Sequence, residues 1–235
     1  MTYVTSDLHG YPLEKFKALL KKAEFSEKDR LIIIGDVIDR GAESAKLLLW
    51  IMEQKNVELL LGNHEDMMLG CEFLFSEVDD IDTSELSERE LLCYMNWMKN
   101  GGDETVAELK RLSGEKRREI FDFVSDCAMY KTLDIGSRRF VLVHGGLGNF
   151  SSERELCDYS SRELLWERPM LWENYSYDFI TVFGHTPTLS YSREYRGRMI
   201  KTSTWINIDT GVTAGLDPML LRLEDLKEFY QNTYF

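Results

Sequence analysis

The segment "LIIIGDVIDRG" (residues 31–41) opens with four aliphatic residues and closes on two acids and an arginine. A run as apolar as Leu31 to Ile34 fits a strand buried on both faces, as in a parallel sheet covered by helices. Charged side chains are rarely buried unless they are paired or bound to a metal. Asp36, Asp39 and Arg40 are therefore either a solvated exit from the strand or chemistry presented on a rigid arm.

The flanking sequence supports alternating strands and helices. Tyr3 to Ser6 reads as a short strand. Pro12 to Ala23 reads as an amphipathic helix with Leu13, Phe16, Leu19 and Leu20 on one face, and Pro12 suits a first turn. Glu43 to Gln54 is a second predicted helix and Val57 to Leu61 a third strand. This alternation predicts an α/β fold with a parallel sheet. Residues 66–129 change character and read as a helical insertion. Its acidic run, "SEVDDIDTSELSERE", is most simply a solvated face, with partner docking as the alternative. From Lys131 onward short strands dominate, at 133–135, 139–143, 179–183, 205–208 and 219–223, with a hairpin expected around Gly197. No repeat or Pro/Gly/Ser linker divides residues 1–235, so one domain is expected.

A net charge of -13 argues against a general nucleic-acid-binding surface, because phosphate backbones need a basic face. The opening residues lack a basic, then apolar, leader pattern, and no apolar run approaches the ~20 residues that span a bilayer. Cys71, Cys93, Cys127 and Cys157 are scattered without a CxxC pair. Reduced thiols packed as small apolar groups, no membrane association and a cytoplasmic location are the expectations.

Each of the four histidines, His9, His64, His144 and His185, follows an apolar strand-like run and sits beside a glycine or polar residue. None is expected on a helix. In α/β sheets the carboxyl ends of strands are where ligands bind. Asp7 and His9, two apart, would project to the same side of an extended segment. Asp36, Asn63, His144 and His185 leave other strands. Such a nitrogen–oxygen donor set suits Mn²⁺, Fe or Zn²⁺. Six ligands are too many for one open site and fit two ions sharing a carboxylate.

The ordered motifs "DLHG" (7–10), "GDVIDRG" (35–41), "GNHE" (62–65), "HGG" (144–146) and "GHTP" (184–187) resemble the PPP family of serine/threonine protein phosphatases. That family lies within the calcineurin-like metallophosphoesterases. "LLWER" (164–168) and "NIDTG" (207–211) resemble its compact bacterial and phage members. The resemblance implies a central β-sandwich of two mixed sheets flanked by helices, and it covers the helical insertion at 66–129 least. It implies two divalent ions, Mn²⁺ first, with Fe or Zn²⁺ also suited. Asp7 and His9 would hold one ion, Asn63, His144 and His185 the other, and Asp36 would bridge them. His64 would be the general acid, oriented by Asp39, while Arg40 and Arg168 would grip phosphate oxygens. Asp209 is expected to support a turn. The implied activity is metal-dependent hydrolysis of phosphate esters by in-line attack of hydroxide. Phosphorylated protein or peptide is the first substrate expected, with small phosphate esters also accepted. The alternative is a diadenosine tetraphosphate or other nucleotide or RNA-end phosphoesterase of the same superfamily.

Overall fold

The computed structural model describes residues 1–75 and 86–232. Two mixed five-stranded sheets face one another. The strands of the first are β1 (Thr2–Thr5), β2 (Arg30–Ile34), β3 (Val57–Leu60), β9 (Met219–Arg222) and β10 (Lys227–Tyr230), in the order β10-β9-β1-β2-β3. The second contains β4 (Tyr130–Ile135), β5 (Arg138–Val143), β6 (Ile180–Phe183), β7 (Ile200–Lys201) and β8 (Trp205–Asn207), in the order β4-β5-β6-β8-β7. Strands β1, β2 and β3 run parallel, as do β5, β6 and β8.

Alternation along β2 shows how the layers are sorted. Ile32 and Ile34 join Val4, Phe140, Leu142, Val182 and Ile206 in a core between the sheets. Leu31 and Ile33 point the other way and pack with Phe16, Leu19, Leu47 and Leu48, which lie on α1 (Leu13–Lys22) and α2 (Ser44–Glu53). A strand apolar on both faces is thus sandwiched between a sheet and a helical layer, as the Leu31–Ile34 run predicts.

The predicted strands and first two helices form within a residue or so of their expected ends, apart from β4, which begins three residues earlier than the strand read at 133–135. Other features differ. The helical segment begins at α3 (Asn63–Leu69), three residues before the expected insertion. It continues as α4 (Glu88–Lys99), α5 (Asp103–Lys110) and α6 (Gly114–Ser125). Most of the acidic run, residues 76–85, lies outside the described residues. The expected first strand of a hairpin at Gly197 does not form: Arg193–Tyr195 is a 3₁₀ turn capped by Ser192, and β7 instead pairs antiparallel with β8. The short α7 (Ser161–Leu165) falls within a stretch not read as helical, and its Ser160 cap supplies the local reason for it. Cys71 is buried, but Cys157 is exposed and does not pack as a small apolar residue. Among the described residues no helix is long and apolar enough to cross a membrane.

Candidate active site

Every predicted site residue except Arg168 leaves, or closely follows, the carboxyl end of a strand. Asp7 and His9 follow β1, Asp36 to Arg40 follow β2, and Asn63 and His64 follow β3. From the second sheet, His144 follows β5 and His185 follows β6. Backbone bonds stitch these exits together: His9 N–H donates to Asp36 O at 2.9 Å and Gly10 N–H to Val37 O at 2.7 Å. Across the second sheet Gly184 N–H donates to His144 O at 2.9 Å.

The backbone here departs from ordinary conformations. Asp7, His9, Asp36, Asp39, Arg40 and His185 all have positive φ, between 42° and 72°. The Asp7–His9 segment is therefore not extended, and its two side chains meet because it curls. Left-handed backbone in non-glycine residues costs on the order of 1–3 kcal/mol each and tends to cluster at functional sites. Gly184 permits the closest approach: a Cβ there would strike Ser6 Oγ and Asp7 Oδ2.

Two donor clusters form around one carboxylate. His9, Asp36 and His64 make the first, and Asp36, His144 and His185 the second. His144 Nε2 lies 3.3 Å from Asp36 Oδ2 and 2.9 Å from Asn63 Oδ1. His9 Nε2 lies 3.6 Å from Asp36 Oδ2 and 3.9 Å from Asp7 Oδ1. Asp7 accepts the His185 backbone N–H at 2.9 Å. His9 and His144 each donate Nδ1–H to a main-chain carbonyl, of Ile38 and Ile34, so Nε2 turns toward the acids. Such an outer bond sets the ring orientation of a metal-binding histidine. His185 Nε2 is buried with no hydrogen-bond partner.

Burial dominates the electrostatics. It pulls His9 down to about 3 and His185 down to about 2, so both rings are neutral donors at neutral pH. Burial also raises Asp7 to about 6. His144 is buried as well, yet the neighbouring Asp36 carboxylate outweighs this and, with Asp7, holds it up at about 10. Asp36 is held well below the usual carboxylate range, because the cationic histidines around it, His144 foremost, outweigh its burial.

Asn63 and His64, which follow β3, sit in the first turn of α3. A strand followed directly by a helix leaves no loop for sequence patterning to detect. His64 Nδ1–H donates to Asp39 Oδ2 at 2.6 Å, and its Nε2 lies 3.1 Å from Arg40 Nη2. Although burial opposes it, Asp36 and then Asp39 raise the His64 pKa. Arg40 Nη1 also lies 3.4 Å from His9 Nε2, so the guanidinium reaches across the first cluster. Exposed Arg168 donates to Thr186 Oγ1 at 3.1 Å, one residue from His185. Asp209 accepts Gly211 N–H at 3.0 Å, which braces the turn after β8.

Three participants escape sequence reasoning. Glu65 is fully buried and accepts backbone N–H bonds from Asp36, Val37 and Gly62 at 2.8, 2.8 and 3.0 Å. Burial, then the Asp36 carboxylate, pushes it up to about 7. It closes the "GNHE" motif, but nothing in the sequence shows that it clamps the main chain after β2. Trp97 and Thr105, from α4 and α5, both donate to Asp39. Nothing local in the sequence points to them, because the pairing exists only once the helices pack.

Comparison with known proteins agrees with this architecture. The calcineurin-like phosphoesterase family model matches residues 2–204. A symmetrical bis(5'-nucleosyl)-tetraphosphatase of Buchnera aphidicola is 33% identical over 104 residues, 41% of this chain and 37% of that relative. The corresponding protein of Chromobacterium violaceum is 31% identical over 101 residues, 41% of this chain and 36% of that relative. The chain thus matches little more than a third of the length of each. Among solved structures, a candidate diadenosine tetraphosphatase superposes with a TM-score of 0.61 at 14% identity, over 97% of this chain and 90% of the other. A cold-active protein tyrosine phosphatase gives 0.56 at 18% identity, over 94% and 72%. A Saccharomyces cerevisiae protein serine/threonine phosphatase gives 0.51 at 18%, over 88% and 65%. These superpositions share the fold. The matched curated relatives cited are tetraphosphatases rather than the compact phage-type phosphatases suggested by the tail motifs.

Proposed function

The chain belongs to the calcineurin-like phosphoesterase family, and from that premise we propose that it hydrolyses phosphate esters or anhydrides at a two-cation centre. Asp7, His9, Asp36, Asn63, His144 and His185 would hold the ions. The observation that carries this is the convergence of two nitrogen–oxygen clusters on Asp36, with a buried, unpartnered His185 Nε2 among them. Buried polar atoms are almost always satisfied, and a cation would satisfy this one. The donor set suits Mn²⁺, Fe or Zn²⁺, with Mn²⁺ the first to test. Divalent ions bound there would supply positive charge for the phosphoryl oxygens and acidify water.

The protein's own groups do the rest. Arg40 and Arg168 flank the clusters and offer planar donor forks that match phosphate oxygens. His64, with Nδ1–H committed to Asp39, would carry a second proton on Nε2 and give it to the departing oxygen. Such proton transfer is typically worth on the order of 10²–10⁴-fold.

Symmetrical dinucleoside tetraphosphates are the substrate class favoured by the relatives matched in sequence. A pocket of about 530 Å³ runs from His9 and Arg40 past Tyr11 and Lys15 to Leu216. Another of about 670 Å³ lies against Trp166, whose ring centroid is 6.0 Å from that of His185. Space on both flanks suits a substrate extended on each side of the scissile phosphate. A second reading, phosphoserine or phosphothreonine in a protein, is favoured by the buried His64–Asp39 pair. A serine alkoxide needs a proton as it leaves, whereas a nucleotide phosphate needs little help. The test compares diadenosine tetraphosphate, a phosphoserine peptide and p-nitrophenyl phosphate with Mn²⁺, with and without chelator. Chelator-sensitive turnover of at least one is expected. Failure to cleave any of them, or turnover indifferent to chelator, overturns the proposal.

A further inference from the structure

The helical insertion reaches the heart of the site. Asp39 is wholly buried, and both its carboxylate oxygens are engaged by the insertion. Trp97 Nε1–H donates to Oδ2 at 2.8 Å, beside the bond from His64. Thr105 Oγ1–H donates to Oδ1 at 2.6 Å. Trp97 and Thr105 are themselves fully buried. The main chain is pinned from the same side: Thr105 Oγ1 accepts the Asp39 N–H at 2.9 Å, and Gly101 O accepts the Arg40 N–H at 3.0 Å. Asn100 O accepts Arg40 Nε–H at 3.2 Å.

These bonds hold two consecutive residues, Asp39 at φ 72° and Arg40 at φ 69°, in the left-handed region that non-glycine residues avoid. The template fits tightly. A Cβ on Gly101 would lie 2.8 Å from Arg40 Cγ, and one on Gly102 would lie 2.6 Å from Trp97 Nε1. The "NGGD" turn at 100–103 is thus shaped to the loop it supports.

We propose that Trp97 and Thr105, with the Asn100–Gly102 turn, are positioning residues for proton delivery. They fix the Asp39 carboxylate so that His64 presents Nε2 to the leaving-group oxygen while Arg40 faces the same phosphate. In the step they serve, a water that has given one proton to solvent bonds through its oxygen to phosphorus, and the phosphorus–ester oxygen bond breaks. The electron pair stays on the ester oxygen, which takes the Nε2 proton, and His64 is left neutral with Nδ1–H on Asp39. A hydrogen-bonded carboxylate with one fixed orientation sets ring tautomer and direction. The inference rests on the phosphoesterase function proposed above and assigns the insertion a part in it, independent of which phosphorylated substrate is cleaved.

The distinguishing experiment varies the leaving group. Full-length Trp97→Phe, Thr105→Val and Thr105→Ser variants, loaded with Mn²⁺, are assayed on glycerol 2-phosphate and on p-nitrophenyl phosphate. An alkoxide needs the proton; nitrophenolate leaves readily without it. Trp97→Phe and Thr105→Val should each lose about tenfold or more on the alkyl ester and less than about threefold on the nitrophenyl ester. Thr105→Ser should retain the wild-type ratio. A second measurement needs no metal: in ¹⁵N-histidine-labelled protein the His64 Nδ1 proton should weaken or shift in Trp97→Phe, with the His144 signals unchanged. Equal losses on both esters, or no loss on either, overturn the inference. If Trp97→Phe does not fold, the Thr105→Val and Thr105→Ser pair carries the same two outcomes. Absence of metal-dependent turnover in the wild type would instead sink the phosphoesterase reading, so the two failures are distinct.

Discussion

Glu65 gives the most quantitative prediction. Its carboxylate binds three main-chain N–H groups, two of them next to or on residues of the donor clusters. Oε2 serves Asp36 and Gly62, and Oε1 serves Val37. In Glu65→Gln the amide oxygen can keep the two bonds of Oε2, but its NH₂ then faces the Val37 N–H. One buried donor left without an acceptor costs about 1–3 kcal/mol. In Glu65→Ala all three are orphaned, for roughly 3–9 kcal/mol before any cavity term. That approaches the total stability of a typical domain, about 5–15 kcal/mol. The comparison is made by urea unfolding of the metal-free protein at about pH 5, below the value of about 7 to which burial raises this acid, so that the native carboxyl is neutral and no cost of burying its charge, which the amide would escape, offsets the lost acceptor. Mn²⁺ titration of each variant follows. Glu65→Gln should lose on the order of 1–3 kcal/mol and bind Mn²⁺ at least several-fold more weakly, because the Asp36 and Asn63 exits are no longer locked together. Glu65→Ala within about 1 kcal/mol of wild type, with unchanged Mn²⁺ affinity, would refute the clamp.

Other consequences are simpler to read. In the metal-free protein His144 uses both ring N–H groups, on Ile34 O and Asn63 Oδ1, and Asp36 holds it up at about 10. Cation binding should therefore release a proton near neutral pH, and affinity should rise about tenfold per pH unit below that value; calorimetric heats identical in two buffers of different ionisation enthalpy would contradict this. His64→Asn should keep Mn²⁺ affinity within about threefold and lose on the order of 10²-fold or more on a phosphoserine peptide; an unchanged rate removes His64 from the acid role. Gly184→Ala would press a methyl group against buried Ser6 and Asp7, an overpacking cost of about 1–3 kcal/mol that a thermal melt would show as a drop of roughly 2–12 °C. Arg168→Ala, altering an exposed side chain, should raise KM for p-nitrophenyl phosphate by about tenfold with little change in Tm; unchanged KM would remove it from phosphate binding.

The parts of this molecule that were legible in the sequence share a cause. Leu31 to Ile34 had to be a two-faced buried strand because no solvated arrangement tolerates that run, and the helices around it have clear amphipathic periods. The proposed metal ligands are legible because all but Asp7 stand beside a glycine just beyond a strand. The errors have causes as well. Asp7 and His9 were expected side by side on extended chain, but their positive φ values come from tertiary bonds that spacing cannot reveal. His64 was expected off any helix, yet β3 passes into α3 with only Leu61 and Gly62 between them. Strand β10 went unread because four residues near the end, "KEFY", give too short an alternation to register. The preference for a phosphoprotein substrate rests on "DRG" and "GNHE"; the roles proposed for those residues, in proton and phosphate handling, are ones that differing substrates can share. The acidic run of the insertion draws the eye but lies mostly outside the described residues, while Trp97 and Thr105, which face inward onto Asp39, carry no conspicuous local signal.

The centre joins groups from opposite ends of the primary structure: Asp7 accepts the His185 main-chain N–H across 178 positions. During ribosomal synthesis the acids and first imidazole emerge early, whereas the last imidazole arrives only after β6. A nascent chain thus lacks the full set of clustered donors for most of its translation. No shorter piece of the chain can therefore assemble the centre, which forms only when both sheets have closed on each other.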